Sequence, residues 1–172
     1  MSTDTTAAPD AAPADQGGEA AKVDAELARL QDALRRLGDG DLHRAGFDGG
    51  WTVAQVVSHL SVCTVLWLGD LERLRQEPSL RFFYREEIGH DCLGYPPPTV
   101  ENAVGRLEST RTAITGSLAG ATAAVADRTV EIPDLGTMTI AEWTPLIAGH
   151  LVMHVGQAFE VMDNRGFRPE GV

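Results

Sequence analysis

Between Glu19 and Leu37 the apolar residues Val23, Leu27, Leu30, Leu34 and Leu37 follow the three- and four-residue spacing of one helix face, and Gly38 and Gly40 end the pattern. A first helix is predicted there. A second, longer one is predicted from Trp51 to about Arg75, apolar on most sides through Trp51-Thr52-Val53-Ala54-Gln55-Val56-Val57-Ser58-His59-Leu60. Val100, Val104, Leu107, Thr110, Ile114 and Leu118 mark a third, with Thr99 as its N-cap and Asn102 at N3. The fourth occupies the apolar stretch from Ile140 to Met162, where Thr139 followed by Glu142 reads as a capping box.

The connections are uneven. Pro78, Gly89, Gly94 and Pro96-Pro97-Pro98 make 82–98 an irregular excursion between helices two and three. Arg128 to Pro133 reads as a short strand, followed by a turn at Asp134 to Gly136. The fold class expected is all-α: a four-helix bundle with a long loop between helices two and three and a short extended segment before helix four.

Composition refines the boundaries. Residues 1–18 hold Ala, Pro, Thr, Asp and Gly with no large apolar side chain after Met1, so they read as a disordered acidic, Ala-Pro-rich tail ahead of one domain over 19–172. A chain of 172 residues that is 43% hydrophobic can bury a core of that size. The formal net charge of −11 argues against nucleic acid or an anionic membrane as partner, because both select clustered Lys and Arg. Lacking a basic segment followed by an apolar one, the start of the chain does not read as a secretory signal, and a cytoplasmic location is expected. Cys63 and Cys92 show no CxxC spacing, so neither a disulfide scaffold nor a thiolate zinc cluster is indicated, and no apolar run reads as long enough for a membrane span, Asp70 and Glu142 interrupting the best candidates.

Polar residues inside the apolar helices carry the candidate chemistry. His150 and His154 are one turn apart, so both rings project from one helix face, about 5–6 Å apart at Cβ. His59 sits in the equally apolar second helix, with Val56, Cys63 and Leu66 on its face. Facing helices of a bundle supply ligands together, and three imidazoles with a position left over form a catalytic type of metal site, suited to zinc, nickel, iron or copper. Gln157, three residues beyond His154, is near enough to orient a ligand. His43 and His90 fall in predicted loops and read as solvated. Cys63 reads as a small buried hydrophobe, the commoner state of a thiol, and Trp51, Trp67 and Trp143 as core, with Trp51 anchoring the start of helix two. Gly156 in mid-helix costs about 1 kcal/mol relative to Ala and points to close helix packing or to room for a ligand.

The Trp51-to-Leu60 segment, taken with His150-x3-His154-Val155-Gly156-Gln157, resembles the DinB-like (DinB/YfiT) superfamily over roughly Ala25 to Phe167. The resemblance implies a four-helix bundle with a divalent ion, most often zinc or nickel, held by His59, His150 and His154. It also implies a relation to S-transferases that use bacillithiol or mycothiol, and to mycothiol-dependent maleylpyruvate isomerase. Homodimers are frequent in the group, which makes one a candidate assembly here.

Three functions follow as expectations. The leading one is a metal-dependent thiol transferase, in which the ion activates a low-molecular-weight thiol for attack on a small electrophile. A basic complement that is Arg throughout except for Lys22, in an Ala- and Gly-rich chain, resembles the coding of a high-GC genome and points to mycothiol as the thiol. The second is a hydrolase using metal-bound water, ranked lower because Glu142 and Glu160 lie eight residues before His150 and six after His154. The third is a non-catalytic metal- or ligand-binding bundle. For the thiol co-substrate the excursion offers Arg81, Phe83, Tyr84, Arg85, His90 and Tyr95, with Arg85 and Tyr95 the chosen contacts and Arg85 or Arg81 suited to a carboxylate.

Overall fold

A computed structural model describes residues 16–45, 50–81, 94–132 and 135–163. Helix α1 (Gln16–Leu34) starts three residues earlier than the apolar pattern predicts and ends three earlier. Its last carbonyls are taken by a tightened turn, Leu37 N–H donating to the Leu34 carbonyl at 2.9 Å. Val23, Leu27, Leu30 and Leu34 are buried as their spacing requires. A single turn, α2 (Asp39–Leu42), follows the glycine stop and buries Leu42.

Helix α3 (Val53–Leu74) begins at a full capping box. Thr52 Oγ1 accepts from Gln55 N–H at 3.1 Å, and Gln55 Oε1 accepts from Thr52 N–H at 2.8 Å. By length and mean hydropathy α3 is long and apolar enough to cross a membrane, Asp70 notwithstanding, which corrects the sequence reading on that point. In this fold half of that apolar window is buried, and α3 packs along two other helices of the bundle.

Helix α4 (Val100–Ala113) starts at Thr99, whose hydroxyl accepts from Asn102 N–H at 3.2 Å as predicted. The predicted third helix does not run on as one α-helix. It widens into a π turn over Ile114–Leu118 and resumes as α5 (Ala119–Ala123). The extra residue in the π turn rotates the following face, so Ile114, Thr122 and Val125 are all buried. Helix α6 (Ile140–Asp163) carries the predicted capping box, with Glu142 N–H donating to Thr139 Oγ1 at 3.3 Å and Thr139 N–H to Glu142 Oε2 at 2.8 Å.

A small sheet that the sequence reading did not foresee joins these helices. Strand β1 (Ser79–Arg81) leaves α3 and pairs parallel to β2 (Thr129–Ile132), which pairs antiparallel to β3 (Gly136–Thr139) leading into α6. Only β2 was expected. β1 and β3 are too short to show alternation against the turn residues beside them. Leu80, Val130 and Ile132 are buried, so the sheet closes one end of the core and ties the end of α3 to the start of α6.

The bundle packs α1 against α4 and α6, and α3 against α4 and α6. A polar seam, buried at Gln31 and open to solvent at Glu108, joins α1 to α4. Arg111 Nε donates to Asp24 at 2.8 Å and its Nη1 to Gln31 Oε1 at 2.9 Å, while Gln31 Nε2 donates to Glu108 at 2.9 Å. These bonds satisfy the buried Gln31 amide at both its oxygen and its nitrogen, which offsets the cost of burying it. Trp67 of α3 and Trp143 of α6, each 1% exposed, meet edge to face with centroids 6.0 Å apart. Such a pair contributes about 0.5–1.5 kcal/mol beyond its buried area. It also sets the antiparallel register of the two helices that bear the histidines.

Candidate metal centre

That register decides what faces His59. Trp67 lies two turns beyond His59 on α3, and Trp143 two turns before His150 on α6, so pairing the tryptophans brings His59 opposite the His150–His154 turn. One ring nitrogen from each of His59, His150 and His154 then lies within 4.8 Å of the others. His59 and His154 are 2% and 5% exposed, and His150 is half-buried. The two Nε2 atoms of His59 and His150 are 3.2 Å apart across the helix interface.

The donor chemistry fits a divalent ion. His154 Nδ1 sits 2.7 Å from Gln157 Oε1, an acceptor, so Nδ1 carries the proton and Nε2 the lone pair. Gln157 thus has the orienting position that its spacing suggested. Zinc–nitrogen bonds of about 2.0–2.1 Å at the tetrahedral angle place neighbouring nitrogens about 3.3 Å apart, close to the separation between His59 and His150. Among the described residues no carboxylate joins this group of donors.

Two side chains differ from their sequence reading. Trp51 does more than anchor the start of α3: half-buried, it stacks on His154 at 5.6 Å between centroids and 13° between planes, and tilts against His59 at 4.9 Å. The Thr52 capping box fixes the chain entering α3 and so holds this indole over the two imidazoles. Cys63 is not a fully buried hydrophobe. It is half-buried, with Sγ 3.3 Å from His59 Nε2 and 4.0 Å from His150 Nε2. One signal for it was available, since residues 59 and 63 share a helix face.

The remaining candidates spread out. His43 is exposed and pairs with the Pro98 carbonyl at 3.0 Å. Arg81 is exposed on β1, in register with Glu131. Tyr95 is 89% exposed, and its carbonyl accepts from Arg106 Nη1. Just before it, Gly94 takes φ +53 against α3, where a Cβ would meet Val62 Cγ2 at 3.0 Å, so glycine serves both the left-handed backbone and the close approach. Phe83, Tyr84, Arg85, His90 and Cys92 lie outside the described residues, as does the tail through residue 15. A Cβ on Gly156 would meet nothing within 4 Å among the described residues. A groove of about 750 Å³ between α3 and α4 lies along Ser61, Thr64 and Val65, a different face of α3 from His59 and Cys63.

A helical bundle with three histidines converging from two antiparallel helices defines a class of protein, and comparison gives it a family. Residues 22–158 match the family model of the DinB superfamily, and the chain belongs to that superfamily. Among solved structures it is similar to YfiT from Bacillus subtilis, described as a probable metal-dependent hydrolase with an unusual four-helix bundle topology. The two superpose with a TM-score of 0.70 at 19% identity, covering 94% of this chain and 95% of that one, a likeness of fold. No curated protein matches the chain.

Proposed function

We propose that this protein is a metal-dependent thiol transferase. The observation that carries the reading is the donor set itself: three imidazole nitrogens within 4.8 Å, and no carboxylate beside them among the described residues. His59, His150 and His154 would hold the ion, zinc or nickel by donor preference. When bound, such an ion lowers the pKa of a coordinated thiol so that thiolate forms at neutral pH.

The chain's own residues then bind and shield. Gln157 keeps His154 in the ligating tautomer, and Trp51 covers the imidazoles with an apolar ring that limits water. Arg85 and Tyr95 are the proposed contacts for the thiol, mycothiol being the first choice. In the transfer the thiol sulfur forms a bond to an electrophilic carbon, the leaving group departs with its electron pair, and the thiol proton passes to solvent. That chemistry asks for no general base from the protein. We propose further that the protein acts in the cytoplasm without nucleic-acid or membrane partners, as a monomer or homodimer.

Hydrolysis is the second reading, favoured by the description of the Bacillus subtilis structure as a probable metal-dependent hydrolase. Metal content of the wild type, His59→Ala and His150→Ala comes first, with about one equivalent of divalent ion expected in the wild type and loss in both variants. The loaded protein is then offered electrophiles with mycothiol, bacillithiol or glutathione, and esters and amides without thiol. Acceleration only with thiol supports the transferase. Turnover of the ester or amide panel alone replaces it with the hydrolase, and absence of both leaves a binding protein.

A further inference from the structure

We propose that the electrophile this protein takes is a small, neutral, apolar molecule, held beside His150 in a notch between Leu146 and Met153 of α6 and bordered by Leu66 of α3. The proposal rests on the thiol-transferase reading above and deepens it by naming the substrate class.

Exposure locates the mouth of the centre. His59 and His154 are 2% and 5% exposed whereas His150 is half-buried, so solvent reaches the three imidazoles on the His150 side. That side is apolar. Leu146 lies one turn before His150 and Met153 one turn after it, so both share its face of α6, and they are 49% and 56% exposed. On α3, Leu66 is 43% exposed and one turn beyond Cys63, whose Sγ lies 4.0 Å from His150 Nε2. Exposed apolar residues scattered singly are ordinary surface; these three border one opening. An apolar ligand seated there removes their surface from water.

The backbone gives the notch its size. Leu146 and Met153 are two turns apart, about 10.5 Å along the helix axis. Between them Gly149 is exposed and has no side chain, and a Cβ there would meet nothing within 4 Å. The span admits one aromatic ring or a short alkyl chain.

Charge selects for neutrality. Glu142, one turn before Leu146, and Glu160, two turns after Met153, are the exposed charges at either end of this face of α6. Arg73, two turns beyond Leu66 on α3, is paired with Asp70 at 3.7 Å and Glu77 at 3.6 Å. Neither helix therefore offers the carboxylate of a substrate a free cation, and the net charge of −11 opposes its approach. With a benzylic chloride the thiol sulfur bonds to the benzylic carbon, the carbon–chlorine bond breaks, chloride leaves with the electron pair and the thiol proton passes to solvent.

The test uses the full, zinc-loaded chain labelled with carbon-13 at its methionine methyls, the Met153 signal being identified by its absence in Met153→Leu. Benzyl alcohol, an unreactive stand-in for benzyl chloride, should shift the Met153 resonance saturably and leave that of the buried Met162 in place. Its anionic counterpart, para-hydroxymethylbenzoate, should bind about tenfold more weakly, because its charge loses water without gaining a partner. Gly149→Leu fills the notch without entering the core and replaces glycine by a better helix former, so it should abolish the shift with the fold and zinc retained. In turnover with mycothiol, kcat/KM should rise up to about fourfold for each carbon added from benzyl to para-methylbenzyl to para-ethylbenzyl chloride, and Leu146→Ala should flatten the rise. No saturable shift at Met153, equal binding of the two probes, or binding that survives Gly149→Leu overturns the proposal. So does a wild type that sediments as a dimer and falls to a monomer in Leu146→Asp, since the rim then faces a second copy. Saturable, charge-selective binding at Met153 without turnover by any thiol upholds the notch and overturns the transferase reading instead.

Discussion

His154 and Gln157 form a short pair, Nδ1 to Oε1 at 2.7 Å, between residues three apart on α6. The amide oxygen can only accept, so it selects the imidazole tautomer whose Nε2 lone pair is ready for a ligand role. Gln157→Ala should weaken binding of zinc about 10- to 100-fold, the usual loss for a partner of this kind. Competition with a chromogenic chelator reads the affinity, which Gln157→Glu should preserve. An unchanged constant in Gln157→Ala would mean that the pair plays no part in ligation.

Metal binding should appear as stability. An ion that binds the folded chain alone adds about 2.7 kcal/mol at a hundredfold excess over its dissociation constant. Thermal unfolding with and without zinc should therefore show an upward shift in Tm for the wild type and none for His59→Ala or His150→Ala. A shift of equal size in all three would place the ion elsewhere.

Trp51 reports on the same centre. Its indole lies 5.6 Å from the His154 ring and 4.9 Å from that of His59, close enough for bound cobalt or copper to quench its emission strongly. Titration should dim the wild type, and Trp51→Phe should lose most of that response while still binding the ion. Because the side chain is half-buried, Trp51→Ala should cost about 1–3 kcal/mol in denaturant unfolding. Quenching that survives Trp51→Phe intact would assign it to Trp67 or Trp143.

Asp70, partly buried on α3, has its carboxyl pushed up by desolvation, with Arg73 at 3.7 Å pulling the other way more weakly. The folded state thus holds this proton more tightly than the unfolded one does. The group's contribution to stability is greatest at low pH and is lost as pH rises from the ordinary carboxylate range through the raised value. Asp70→Asn should gain in stability relative to the wild type between pH 4 and pH 7, measured by urea unfolding at each, with the expected gain small because Asp70 is only partly buried. A constant difference across that range would show that burial leaves the carboxyl unperturbed.

The four helices and their caps were legible because each is a local matter. The apolar spacing of α1 and α3 needs only the 3.6-residue repeat, and Thr99 and the Thr139–Glu142 pair bond within three residues. The His150–His154 pair was legible for the same reason, as was the place of Gln157. The π turn at Ile114 left no mark in the pattern, since an inserted residue shifts the phase without changing which residue types are used. Strand β1 was hidden because its pairing joins residues fifty apart, Ser79 with Thr129, and β3, though it pairs locally with β2, because four residues are too few to show alternation.

By itself, then, the order of residues determined the four main helical segments, the caps at Thr99 and at Thr139–Glu142, and which helix face carries the imidazoles. Tertiary structure alone decided that α3 and α6 run antiparallel in the register set by Trp67 and Trp143. That register brings His59, Cys63 and His150 within 4.0 Å of one another and lays Trp51 over the cluster. The reason is physical: periodicity fixes direction around one helix axis, whereas the distance between side chains on two helices depends on how both pack, which no local pattern encodes.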